Sequence, residues 1–71
     1  MKPTEVRNLK TYTRFANFSE KDEDTSQADF LDKRFSQTIN KVEREMGRVI
    51  NLSIAHYGGG CVYSVLYIPY D

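Results

Sequence analysis

Few residues of this 71-residue chain have side chains suited to catalysis, since it contains one cysteine and one histidine. Cys61 and His56 flank the glycine run 58–60, and a thiol beside an imidazole is the pairing used by cysteine nucleophiles. The alternation of the flanking segments predicts that these two side chains lie on opposite faces of a hairpin. Carboxylates cluster only in the solvated segment 20–32, where burial does not tune them for acid–base work. We therefore expect no catalytic residue and no enzymatic activity.

The same composition argues against a bound metal or cofactor. A single cysteine excludes a structural zinc site built from cysteines, and a single histidine removes most other metal arrangements. Segment 20–32 lacks the ligand order of a calcium loop. The sequence contains no GxGxxG and no Walker A motif. The glycine run is typical of a hairpin turn, but its backbone N–H groups could also hold a small anionic ligand such as a nucleotide. The residues that we would assign to such a ligand are Tyr57, Gly58, Gly59, Gly60, His56 and Arg14.

Charge is balanced in total, with ten basic and ten acidic residues, but it is distributed unevenly. The net charge is +3 over residues 1–14, −5 over 20–32 and +3 over 33–48, and residues 49–70 carry no formal charge. A balanced total argues against general binding to nucleic acid or to an anionic membrane. No run approaches the roughly 20 apolar residues of a membrane span, and no apolar leader follows Met1. With a single cysteine, these features indicate a cytoplasmic protein.

The spacing of apolar residues predicts one amphipathic helix over residues 26–46. Apolar side chains recur three and four residues apart along this segment, which places them on one helical face. Ser26 is suited to cap the amino terminus, with Asp29 three residues later. Gly47 is predicted to end the helix as a glycine in the left-handed conformation.

Two strands joined by the glycine run are predicted over residues 48–57 and 61–70. A three-residue turn pairs Tyr57 with Cys61, and the same register places Leu52 opposite Leu66 and Ile50 opposite Ile68. This register gathers the aliphatic side chains on one face, which we expect the helix to cover. A third strand is predicted over residues 10–18.

These elements predict an α+β fold in the order β-α-β-β, with a three-stranded antiparallel sheet and one helix packed on one face. Residues 10–71 form a single domain, and residues 1–9 form an arm that we leave open as flexible or as an edge strand. One helix covers only one face of a sheet, so the second face is predicted to be exposed. The register places on it the residues Val49, Asn51, Tyr57, Tyr63, Val65 and Tyr67.

An exposed face rich in tyrosine and valine is typical of an interface, because tyrosine combines an apolar body with a polar tip. We expect the chain to form a homo-oligomer through this surface. A solvated sheet face, a bound ligand and a different protein remain alternatives to that expectation.

Short motifs resemble a family of small sporulation-associated proteins from Gram-positive bacteria and their phages. The similarity lies in Phe35–Asn40 on the helix, Arg48–Ile54 on the first hairpin strand and Tyr63–Ile68 on the second. It covers about residues 30–68, while the glycine run and the acidic segment 20–24 differ from the family pattern. The resemblance implies a β-α-β-β shape in a phage or bacterial setting and implies no catalytic residue.

Two functions from different classes follow as expectations. The first is a small non-enzymatic binding protein, homo-oligomeric, that binds a host or regulatory protein stoichiometrically. The alternative is a phage-type protein that sequesters a nucleotide at the glycine run and so blunts host signalling.

Overall fold

The computed structural model describes residues 8–71, which form one helix packed on one face of a three-stranded sheet. The elements are β1 (Lys10–Asn17), a short 3₁₀ helix (Phe18–Glu20), α1 (Gln27–Glu45), β2 (Gly47–Tyr57) and β3 (Gly60–Pro69). The sheet is antiparallel in the order β1-β3-β2, so β1 and β2 are both edge strands. The predicted α+β fold of β-α-β-β order is confirmed. Most of the predicted arm lies outside the described residues.

Helix α1 begins where its capping residues predict. The Ser26 side chain accepts a hydrogen bond from the Asp29 backbone N–H at 3.1 Å, which satisfies one of the free N–H groups of the first turn. The predicted end was wrong in its mechanism, because Gly47 is the first residue of β2 and has no positive φ. A Cβ at Gly47 would lie 2.2 Å from the Ile68 carbonyl oxygen. Glycine is therefore needed there so that β2 can approach β3.

The β2–β3 register differs by one residue from the prediction. The loop contains two residues, Gly58 and Gly59, and Tyr57 pairs with Gly60 instead of Cys61. Gly60 has φ +152°, and a Cβ on it would lie 2.0 Å from the Ala16 carbonyl oxygen. The third glycine is thus a strand residue that allows close contact with β1, which shortens the loop.

This one-residue shift exchanges the two faces of β3, while Leu52, Ile54 and His56 of β2 stay on the helix side as predicted. The residues of β3 that α1 covers are Cys61, Tyr63, Val65 and Tyr67, all buried. They pack against apolar helix side chains that include Phe35 and Val42. The β3 residues that we expected under the helix, among them Leu66 and Ile68, lie on the other face. Because side chains alternate between faces, a slip of one residue relative to β2 moves every side chain of β3 to the opposite face.

Two contacts fix Tyr63 within the core. Its hydroxyl is hydrogen-bonded to the Thr38 hydroxyl at 2.9 Å, and this pair is buried. Its ring packs edge-to-face on Phe35 with ring centroids 4.9 Å apart. A buried hydroxyl needs a hydrogen-bond partner. Because Thr38 supplies one, the polar end of Tyr63 can lie in the interior.

A β-bulge at Ile50 interrupts the β2–β3 ladder, where the prediction had continuous pairing. Val49 pairs with Tyr67, and Asn51 pairs with the next residue of β3, Leu66. The extra residue restores Val49 to the helix-covered side, where it packs against the buried cluster.

Arg34 holds the segment that leads into α1 in place through three contacts. Its guanidinium forms an ion pair with Glu20 at 2.5 Å and lies over the Phe30 ring, 5.2 Å from the centroid. The same side chain donates to the Phe15 carbonyl at 3.4 Å. Arg34 therefore joins the end of β1, the 3₁₀ helix and α1.

Candidate functional site

The sheet face that α1 does not cover, called here the open face, is the candidate binding surface. The register places on it the alternate residues of all three strands. They are Thr11, Thr13 and Phe15 of β1, Val62, Ser64, Leu66 and Ile68 of β3, and Arg48, Asn51, Ser53 and Ala55 of β2. The four residues of β3 are half-buried by their neighbours, and Phe15 is 60% exposed.

The open face has apolar ends and a hydroxyl-bearing middle. Phe15 lies opposite Val62 near the hairpin turn, and Leu66 and Ile68 lie toward the other end. Between them, the Thr13 and Ser64 hydroxyls are hydrogen-bonded at 2.7 Å. Among the residues that the register assigns to this face, Arg48 alone is charged. Such a surface is suited to an uncharged protein surface and offers an anionic ligand little.

The dimensions of the open face limit the area that a binding partner can cover. Three strands about 4.8 Å apart, each contributing about eight residues at about 3.3 Å, give a face of roughly 14 by 27 Å. The projected area of the whole face, polar and apolar residues together, is about 400 Å².

The predicted interface residues divide between the two faces. Asn51 and Tyr57 are exposed and lie on the open-face side, as predicted. Tyr63, Val65 and Tyr67 are buried under α1 with exposed fractions of 2%, 0% and 6%, and Val49 packs beside them, so their predicted exposure is wrong. These four residues stabilise the core and are not available to a partner in this fold.

The residues proposed for a small anionic ligand are not assembled into one site. The Tyr57 hydroxyl donates to the Asn17 side chain, and the Gly59 carbonyl accepts from the Phe18 N–H at 2.8 Å. Arg14 lies three positions along β1 from Asn17, about 10 Å away, and on the helix side of the sheet. Its guanidinium stacks on the Tyr12 ring and donates from Nε to the Tyr12 hydroxyl at 2.9 Å. Nucleotide binding at the glycine run stays a prediction.

His56 and Cys61 lie on the same face, which corrects the predicted separation. They are directly paired across β2 and β3. Cys61 is nevertheless fully buried, and desolvation raises the pKa of its thiol. The nucleophilic species is the thiolate, which burial disfavours, and no hydrogen bond joins the two side chains among the described residues. The pair does not meet the requirements of a catalytic dyad.

Two surface cavities lie away from the predicted ligand residues. The larger, about 370 Å³, is at the carboxyl end of β3 and is lined by Arg48, Ile68, Pro69, Tyr70 and Asp71. The smaller, about 270 Å³, lies beside the Arg34–Glu20 ion pair, and both carboxylates and cations line it. Mixed charge and open shape make neither cavity a built ligand site. Residues 8–71 also contain no cluster of three or more histidine, cysteine or acidic side chains placed to hold a metal ion.

Sequence reasoning missed the apolar core of the open face, Val62, Leu66 and Ile68, because it followed the wrong register. A signal was present, since two-residue hairpin loops are the commonest and a loop of Gly58 and Gly59 alone gives the observed pairing. The observed register buries tyrosine side chains under the helix, whereas the prediction favoured a nearly all-aliphatic side facing the helix.

Comparison with known proteins gave no match to a family model, to a curated protein or to a solved structure. The resemblance to sporulation-associated proteins stays a prediction. Within the described part of the chain, no helix has the length and apolar character to cross a membrane.

Proposed function

We propose that this chain is a small non-enzymatic binding protein that acts by stoichiometric binding to another protein through its open face. The single observation that carries the proposal is the continuous, nearly uncharged surface formed by alternate residues of all three strands. Phe15 is its most exposed aromatic anchor, and Leu66 lies half-buried on its central strand.

The partner that fits this face is a protein with a flat, uncharged surface. Apolar side chains at both ends supply burial, and the Thr13–Ser64 hydroxyl pair offers hydrogen bonds in the middle. A second copy of the chain is a poorer occupant, because a face of about 400 Å² projected area is small beside the roughly 800 Å² of accessible surface that each partner contributes to a typical specific interface. A larger partner that also reaches across the β1 edge overcomes this limit.

Site-specific photocrosslinking tests the proposal. Benzoylphenylalanine replaces Phe15 in one variant and Asn40, an exposed residue of α1, in a matched control. Both tagged variants are irradiated in cells of the native host, and the adducts are separated by mass. We expect one discrete adduct with a different protein at position 15, absent at position 40. Adding Leu66→Ser to the position 15 variant is expected to reduce that adduct at least fivefold while thermal unfolding still shows a folded chain.

Two outcomes would refute the assignment. Equal adducts at both positions would show that capture is unspecific. An adduct at position 15 with the mass of two copies of this chain would show that the open face is a self-interface.

The proposed setting is the cytoplasm of a bacterium or of a phage-infected cell. The buried, unpaired thiol of Cys61 suits a reducing compartment. The short motifs shared with sporulation-associated proteins support the bacterial or phage setting.

A further inference from the structure

We infer that β2 is a self-pairing edge, through which two copies of the chain join antiparallel about Ile54 to form one continuous six-stranded sheet. The partner at this edge is a second copy of the same strand. The inference depends on the hydrogen-bonding direction of β2 and on its side chains, and it is independent of what binds the open face.

The direction of the free backbone groups follows from the ladder. The Phe18 N–H donates to the Gly59 carbonyl at 2.8 Å, so Gly59 directs its carbonyl toward β1. Successive residues of a strand point to opposite sides, so Gly60 directs its backbone groups toward β2 and pairs there with Tyr57. Counting back from Tyr57 in steps of two residues, Ala55 and Ser53 also bond to β3. The intervening residues Leu52, Ile54 and His56 direct their N–H and C=O groups outward.

This edge lacks the features that usually prevent strand pairing. Residues 51–57 contain no Lys, Arg, Asp, Glu or Pro, which are the side chains that protect exposed edges. The other edge strand, β1, carries Lys10 and Arg14, and pairing it with itself would bring cations together. The bulge at Ile50 ends the regular part of β2, so the available pairing segment is residues 51–57.

A two-fold axis at Ile54 uses the whole segment. Ile54 then faces Ile54 of the second copy, and Leu52 faces His56 in both directions. Each of these three pairs uses outward-directed groups and exchanges two hydrogen bonds, which makes six in total. The Ile54 side chain, 41% exposed in the single chain, is covered by its counterpart. No like charges meet in this arrangement.

Such pairing also enlarges the open face. The two sheets continue edge to edge with both helices on the same side, so the two open faces become one surface of roughly 800 Å² projected area. Pairing therefore doubles the surface that a large partner can cover and brings it toward the size of a typical specific interface.

The test compares oligomeric state and crosslinking at this edge. Sedimentation velocity of the unmodified chain is expected to move from 8.3 kDa toward twice that mass as concentration rises from about 1 to 200 µM. Ile54→Pro removes only an N–H that points outward, so the fold is retained and the dimer dissociation constant rises about ten- to a hundredfold. Ile54→Lys places two cations at the axis and is expected to have the same effect. Circular dichroism at low concentration verifies that each variant is folded.

Crosslinking tests the register itself. In the proposed dimer the two Ile54 Cα atoms are about 5.5 Å apart, which suits a disulfide. Ile54→Cys is expected to form a covalent dimer under mild oxidation much faster than the control Asn40→Cys on α1. A chain that stays at 8.3 kDa at 200 µM overturns the inference. A dimer that survives both Ile54→Pro and Ile54→Lys also overturns it. Leu66→Ser is expected to leave the mass of the dimer unchanged, so the test of the β2 edge does not depend on whether the open face binds a partner.

Discussion

Replacing Tyr63 by serine tests the register on which the whole assignment of faces depends. The side chain is 2% exposed, its ring packs on Phe35 and its hydroxyl bonds to Thr38. Removing a buried aromatic ring costs about 3–5 kcal/mol, and the lost hydrogen bond adds about 1 kcal/mol. A 71-residue domain has a free energy of unfolding of only about 4–10 kcal/mol. We therefore expect Tyr63→Ser to be unfolded or nearly so.

Leu66→Ser is the matched control, since Leu66 lies on the same strand but on the open face. Its side chain is half-buried without a helix above it, so we expect a loss of about 1–2 kcal/mol. Urea unfolding followed by circular dichroism measures both variants. With a slope of about 1 kcal/mol per molar urea, Leu66→Ser lowers the midpoint by about 1–2 M, whereas Tyr63→Ser abolishes the transition.

The reverse result would refute the reasoning. If Tyr63→Ser unfolds within about 1 M of the unmodified chain and Leu66→Ser does not fold, the register with Tyr57 opposite Cys61 is the correct one.

Three further predictions test the core and the turn. In a double-mutant cycle of Tyr63→Phe and Thr38→Val, urea unfolding should give a coupling energy of about 1 kcal/mol. The reason is that each single variant leaves one buried hydroxyl without its hydrogen-bond partner. A coupling energy near zero would contradict the hydrogen bond. Burial raises the pKa of the Cys61 thiol, so the folded chain holds this proton more firmly than the unfolded chain. This thiol should therefore leave the free energy of unfolding unchanged below about pH 8.5 and lower it as pH rises above that value. Cys61→Ala should remove the contribution of the thiol to the loss of stability between about pH 8 and 10. Gly60→Ala should cost several kcal/mol because its Cβ meets the β1 backbone, whereas Gly58→Ala has open space around its Cβ and should change thermal unfolding little; equal effects would show that the tight contact is absent.

Local signals in the sequence were enough to determine the secondary structure. The periodicity of apolar residues and the Ser26 cap place α1 to within one residue at each end, because both depend on neighbours within a turn of helix. Alternating β-branched and aromatic residues give the strands, and the glycine run gives their connection. The order β-α-β-β with one helix then leaves one sheet face uncovered, which also follows from the sequence.

Which side chains of β3 lie on the uncovered face was decided only by the tertiary structure. The choice depends on whether Gly60 is in the loop or in the strand, and the deciding contact is with the Ala16 carbonyl of β1, more than 40 residues earlier. No local pattern reports that contact. The buried Tyr63 hydroxyl likewise depends on Thr38 of the helix. Hydrophobicity alone, which takes no account of that partner, favours an aliphatic core. Since strand side chains alternate with a period of two, one residue in the turn was sufficient to exchange the core side and the surface side of β3.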